Sequence, residues 1–540
     1  MRPFIISLFM LITLANCANQ TSPTGGPQDK KPPELIKSNP KNNELNFKNK
    51  SLELEFNEDI KLKDPTEEII ITPSVGKKSK ILAKANKVII TPETPWKENT
   101  TYSVSFRDAV QDLNEGNPIF NLRLAFSTGP EIDSLSLTGR VYEVSKEEVP
   151  DKITVALYQS DTFNIFNHQP TYFTRANKKG KFSINNLKEG DYYIYAFDDK
   201  SKNLKVDSKT ERFGFLTRKI ELTIEKQDSL IIPITKVDAR PLKITSIRHT
   251  EKLSRIKFNK SIDTLKVKTD NYPLLYQFGD TREEIIFYNP PKEDSIKFTL
   301  YATDSTTHTI DTTAYLKTTK TKLPKETFKF SLEEPIYDIE SQKITIKAKF
   351  NKPILAFTLD SLYIQLDTTT FQSIQEKEIT IDTINHQLTI ETSLKPLNKD
   401  PSTKTPDPIF IAGKGSFISI DQDSSKSATN KIRIPKVEET GSLSIDVKTE
   451  EKNYILQLYG KGTQPIRTVK NVTKYTFKNL AAQEYKIKVL IDMNNNGIWD
   501  VGNFEFRKEP EPIYIYKTKD GKTSTLVRAN WEVGPLLITF

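Results

Sequence analysis

Asp492-Met493-Asn494-Asn495-Asn496-Gly497-Ile498-Trp499-Asp500 places side-chain oxygens at positions 1, 3, 5 and 9 around a glycine at position 6. Calcium takes about six to eight oxygen ligands, and alternate short oxygen-bearing residues on a tight turn are one way to supply them. The candidate metal ligands are therefore Asp492, Asn494, Asn496 and Asp500, and Ca2+ is the cofactor they would hold. Position 12 is Asn503, where a calcium loop has a bidentate glutamate, and asparagine stands for aspartate at positions 3 and 5. Less negative charge lowers the expected affinity. A hairpin turn draws on the same residue types, because Asn and Gly tolerate positive φ and short polar side chains cap the backbone. Both readings stand on the sequence. The related stretch Asp198-Asp199-Lys200-Ser201-Lys202-Asn203 lacks the glycine and carries lysines, which favours a turn there.

Other chemistry is sparse. His168, His249, His308 and His386 show none of the close pairing of a zinc-binding helix. Phosphate-loop, nucleophile-elbow and dinucleotide-binding patterns are absent from the sequence, and no catalytic residue is assigned. Paired acidic residues at 67–68, 147–148, 283–284 and 333–334 read as solvated strand or loop positions. Tyr193 and Tyr195 share one face of a strand, opposite Tyr192 and Ile194, so one set belongs to a core and the other could stack a sugar.

Cys17 is the single cysteine in 540 residues, too few for an internal disulfide or a structural zinc site. It follows Met1-Arg2 and an apolar run from about Pro3 to Leu14, the order of a secretory leader. That run is shorter than the roughly 20 residues a spanning helix needs. Leu14-Ala15-Asn16-Cys17 resembles the lipobox of bacterial lipoproteins, although Asn16 replaces the usual small residue. The resemblance implies removal of residues 1–16 and lipidation of Cys17. The alternative is an ordinary secretory leader. Ala18, rather than Asp, after the cysteine points to the outer membrane of a Gram-negative bacterium, with the periplasmic face favoured over surface display.

The formal charge is +9, or +8 once Arg2 leaves with the leader. The lysines are interleaved with Asp and Glu, as between Lys243 and Asp263. That pattern fits a solvated β surface, where lysine blunts strand edges, and nucleic acid is not expected as a partner. Tyr (20) and Phe (29) are abundant while Met is scarce (3), which favours strands over helical bundles.

Residues 17–32 are rich in Pro, Gly and polar side chains and read as a tether from the lipidated cysteine. Beyond it, period-two alternation such as Leu52-Glu53-Leu54-Glu55-Phe56 predicts half-buried strands. Further strands are expected at 69–72, 87–91, 101–106 and 122–127, with turn signals between them. The elements LELEFNEDIKL, PWKENTTYSVSF, AVQDLNEGNPI and LAFSTG, in that order, resemble the bacterial Ig-like domain of S-layer type over about 33–130. The resemblance implies a spacer, adhesion or surface-layer module. KFSINNL followed by GDYYIYAFDD resembles a transthyretin-like or carboxypeptidase regulatory-like sandwich, assigned to 131–237. The pattern returns as KYTFKNL and EYKIKVLID at a constant offset of 293, which assigns 438–540 to a second copy. Apolar positions are expected to match, Phe182 with Tyr475 and Ile184 with Phe477 among them. Ser254–Ile262 and Ile346–Ile354 echo Leu52–Ile60, each carrying Phe-Asn, and mark Ig-like units at 238–322 and 323–437.

The expected fold is all-β: tandem Ig-like and transthyretin-like β-sandwich domains behind a lipoprotein signal peptide. The expected function is a non-enzymatic lipid-anchored cell-envelope protein acting as a structural, spacer or binding/adhesion module. Its expected partners are the membrane, through the lipid, and an envelope protein or glycan. The alternative is a secreted glycan- or peptide-acting hydrolase with an unrecognised site.

Overall fold

The computed structural model describes residues 29–540 apart from 77, 147–148, 150–151, 160–161, 225–228, 270–273, 289–294, 318, 323–325, 340, 395–406 and 435. Cys17 and its leader lie outside the described residues, as do Glu147 and Glu148. The described chain is all-β, a tandem array of sandwiches with apolar cores succeeding one another along the sequence.

In the first unit Leu52–Phe56 is an inner strand of a four-stranded sheet, between Leu35–Asn39 and Lys87–Thr91. Alternation sends Leu52, Leu54 and Phe56 inward, where they meet Tyr102, Val104 and Phe126 from the opposite sheet. The strand expected at 69–72 begins at Ile70, and the one expected at 101–106 runs through Arg107. Trp96 packs against this core, edge-on to Tyr102 at 4.8 Å and Phe126 at 5.1 Å.

The repeated Phe-Asn has a physical cause. The Asn57 side-chain oxygen accepts from Glu34 N–H at 2.8 Å, and Asn57 N–H returns a bond to Glu34 C=O at 3.0 Å. Asn259 does the same with Lys243, and Asn351 with Lys329, each accepting at 2.8 Å. The asparagine thus takes up backbone groups that the edge strand would leave unpaired where it parts from its neighbour. In all three units the sheet follows one path, an edge strand, the strand that ends in Phe, that strand's other partner and then its hairpin mate, with Ile336–Asp338 added beside this path in the last.

The units around 135–234 and 440–539 share another topology. Leu135–Glu143 pairs antiparallel with Lys181–Leu187 and parallel with Ser229–Ile234. Thr440–Lys448 pairs likewise with Lys474–Ala481 and Glu532–Thr539. The facing sheets run in matching orders too. The Tyr192 hydroxyl donates to Lys188 C=O at 2.7 Å, and Tyr485, 293 residues later, donates to Ala481 C=O at 2.8 Å.

One expected core match fails. Phe182 is buried, whereas Tyr475 is 38 % exposed. Phe182 lies over Gly139, where an added Cβ would come within 2.7 Å of its ring. Ile445, buried, holds the corresponding place opposite Tyr475, so the tyrosine turns outward and rests edge-on against Phe477 at 4.9 Å.

Candidate functional site

Strand Gln483–Ile491 runs straight into the motif that could bind a cation. Asp492 Oδ1 accepts from Asn496 N–H at 3.0 Å, and Oδ2 accepts from Gly497 N–H at 2.8 Å. Asn494 Oδ1 accepts from Asn496 N–H at 3.0 Å, and Asn496 Oδ1 accepts from Ile498 N–H at 2.9 Å. Both asparagines turn their amide nitrogens toward Asp500 Oδ2, at 2.5 and 3.1 Å. The four candidate ligands are brought together, but their oxygens face the loop's own N–H groups. Among the described residues no group of three or more His, Cys, Asp or Glu side chains could hold a metal ion. Asn503 points away, donating to Thr306 C=O at 2.5 Å and Thr307 Oγ1 at 2.8 Å.

A residue outside the motif closes this loop. Buried Glu511 accepts from Met493 N–H at 2.8 Å through Oε1 and from Asp500 N–H at 2.9 Å through Oε2. Burial pushes its carboxyl above the usual range, partly offset by those N–H donors. The first copy repeats the device. Asp199 accepts from Asn203 N–H at 2.8 Å and Leu204 N–H at 3.1 Å, and Glu211 accepts from Ser201 and Asp207 N–H groups. Asp199, Asn203, Leu204 and Asp207 lie 293 residues before Asp492, Asn496, Gly497 and Asp500. The backbone shape is shared as well, with φ of 55° at Lys202 and 56° at Asn495, and 58° at Leu204 where Gly497 has 84°.

From this loop Asn503–Glu509 crosses to the earlier sandwich. Phe504 enters an aromatic cluster with Phe166 (4.9 Å), Phe215 (5.7 Å) and Phe213 (6.0 Å). The Arg507 guanidinium lies 4.7 Å from the Tyr193 ring centre and donates to the Tyr195 hydroxyl at 3.0 Å. Thr217 N–H donates to Glu509 Oε1 at 2.7 Å, and its hydroxyl donates to Arg507 C=O at 2.7 Å. The Tyr193 and Tyr195 face is therefore largely covered from within the chain, Tyr195 being 3 % exposed and Tyr193 half-buried, while Tyr192 on the opposite face lies in the core. The sequence carried no signal for Phe504, Arg507 or Glu509, which lie in an irregular stretch.

The same segment reaches a third unit. Beside Asn503, Glu505 lies 3.7 Å from His308, whose Nδ1 meets the Thr306 hydroxyl at 2.6 Å. Lys260 is buried there, paired with Asp304 and donating to Asp238 C=O at 3.0 Å. Elsewhere, Glu67 pairs with Lys202, with Lys152 at 3.3 Å and with Arg175 at 3.6 Å, joining the first two sandwiches. Lys252 meets Asp421 at 3.0 Å between the third and fourth. His168 and His249 each engage a local hydrogen bond through Nδ1, and His386 Nδ1 meets the Phe350 carbonyl at 3.0 Å. All four histidines, and Glu67 of the first acidic pair, are thus engaged with neighbouring groups of the fold.

The family model of the bacterial Ig-like domain, Big_5, matches residues 29–128. Among curated proteins none matches. Solved structures similar to this chain include BcpA, the major pilin subunit of Bacillus cereus, at 9 % identity and a TM-score of 0.12, covering 76 % of this chain and 99 % of that one. Surface layer protein SbsC, domains 1–6, stands at 9 % identity and 0.14, covering 90 % and 67 %. SGBP-B of the Bacteroides ovatus mixed-linkage glucan utilization locus, in complex with a mixed-linkage heptasaccharide, stands at 9 % identity and 0.15, covering 73 % and 91 %. TM-scores this low carry no argument about arrangement or activity.

Proposed function

We propose that this chain is a non-enzymatic cell-envelope protein, held through lipidated Cys17 at the periplasmic face of a Gram-negative outer membrane, where its sandwiches act as a structural or binding module. The observation that carries the reading is the contact made by Asn503–Glu509. Aromatic surface and loop carboxylates that a substrate site would leave accessible are occupied by other parts of the same chain. Such a molecule presents folded surface rather than a reactive cleft. The Ig-like match over 29–128 and the leader before Cys17 support the placement.

The test is metabolic labelling with a clickable palmitate, followed by membrane fractionation and protease treatment of intact cells. Label on the parent protein and its loss in Cys17→Ser, with release from the membrane fraction, are expected. An unlabelled parent overturns the anchor. Protection from external protease is expected for a periplasmic face, and cleavage would move the protein to the cell surface.

A further inference from the structure

The tether enters the first sandwich beside a hairpin with two exposed apolar side chains. Asp29 C=O accepts from Asn117 Nδ2 at 3.0 Å, fixing the start of the described chain against the turn that follows Val110–Asp112. The Asp112 carboxylate accepts from the N–H groups of Glu115, Gly116 and Asn117 at 2.6 to 2.9 Å, so this turn has a set shape. Leu113 lies at its start and Phe120 just beyond it, 51 % and 70 % exposed. Singly exposed apolar side chains are ordinary on a protein surface, and what sets these two apart is their place beside the end of the chain that leads to Cys17.

The chain to Cys17 is short. Only residues 18–28 separate the cysteine from Asp29. Eleven intervening residues cannot span more than about 40 Å whatever their conformation. A lipid on Cys17 therefore keeps the bilayer surface within reach of Leu113 and Phe120. Charge near the hairpin is mixed: Asp29, Glu58, Asp59 and Glu115 are answered by Lys30, Lys31 and Lys61, the last donating to Leu113 C=O at 2.9 Å. Attraction to anionic headgroups is not what this end offers. Apolar side chains at a rigid turn are, and such groups settle at the boundary of headgroup and acyl chain.

We infer that Leu113 and Phe120 dock the first sandwich onto the lipid bilayer that holds Cys17. The inference rests on the anchor proposed above. It turns the first unit from a body on a loose leash into one seated on the membrane.

The acylated full-length protein supplies its own test, because a lipidated Cys17 leaves no free thiol. Phe120→Cys, Leu113→Cys and, as a control, exposed Leu355→Cys each introduce one site for an environment-sensitive fluorophore. The proteins are reconstituted in vesicles of phosphatidylcholine, with and without phosphatidylglycerol. Emission at positions 120 and 113 is expected to rise severalfold, shift to shorter wavelength and resist aqueous iodide equally in both lipids, while position 355 stays water-like. Water-like emission at 113 and 120, with a parent that takes up no dye, overturns the docking and leaves the anchor standing. Dye uptake by the parent shows a free Cys17 and overturns the anchor and the docking together.

Discussion

Arg507 reaches the Tyr195 hydroxyl at 3.0 Å although 312 residues separate them, and its guanidinium lies on the neighbouring ring of Tyr193. A hydrogen bond to a charged donor and a partly desolvated cation–π contact are removed together by Arg507→Ala. The expected loss is about 2 kcal/mol in the docking of the two sandwiches. Phe504→Ala empties the aromatic cluster beside it and should cost a similar amount. Small-angle scattering should show a larger radius of gyration in the double variant. An unchanged radius would mean that other contacts hold the units.

Tyr192 and Tyr485 each close a turn by donating to a carbonyl four residues back. Substitution by phenylalanine leaves the ring and orphans one acceptor. Each change should lower stability by about 1 kcal/mol, read by urea unfolding. A large difference between the two would show that the copies carry different loads.

Asp492 holds two backbone N–H groups through two oxygens. Asp492→Ala should destabilise the C-terminal sandwich by about 2 kcal/mol in calcium-free buffer, the scale for hydrogen bonds to a charged group. Because the loop's oxygens are engaged by its own N–H groups, millimolar calcium should leave the melting temperature of the parent where it is. A saturable rise that disappears in Asp492→Ala would instead assign the loop as a calcium site.

Lys352, nearly buried, pairs with Asp421 at 2.8 Å and with Asp423 at 3.6 Å. The lysine holds the Asp421 carboxyl below the usual carboxylate range. A folded-state pKa below the unfolded one means stabilisation that is in place above about pH 4 and drains as pH falls through the folded value. Asp421→Asn should cost about 2 kcal/mol at neutral pH, Asp423 compensating part of the buried Lys352 charge. The gap between parent and variant should close as unfolding is repeated toward pH 3. A gap constant with pH would deny the ion pair its role.

Some half-buried strands were readable from alternation, while others that alternate as clearly, such as Ser295–Thr303 and Thr440–Lys448, were not singled out. Leu52–Phe56 and Lys87–Thr91 begin and end where alternation and turn residues say they should. The 293-residue repeat was legible because its spacing is unbroken through two strands and a loop. The fate of Tyr475 was not, because it depends on Ile445, a neighbour across the sheet, standing where Gly139 stands in the other copy. The loop ligands were legible as a cluster, but the sequence could not say whether their oxygens look toward an ion or toward N–H groups. Glu511 and Glu211 stand at different distances behind their loops, so no fixed spacing exposes their shared task. The contact through Phe504 and Arg507 escaped altogether. It joins an irregular segment to partners about 290 to 340 residues away, and no periodicity reports such a meeting.

The parallel strands set an order in time. Ser229–Ile234 must arrive before the sandwich opened by Leu135–Glu143 can close, and Glu532–Thr539 does the same for Thr440–Lys448. A chain emerging from its amino end completes the earlier sandwich while Phe504 and Arg507 are still about 270 residues behind. During that interval Tyr193, Tyr195 and Phe215 stand uncovered, an aromatic surface awaiting its own carboxyl-terminal third. Any premature release of the chain leaves that surface bare, so its protection is a property of finished molecules alone.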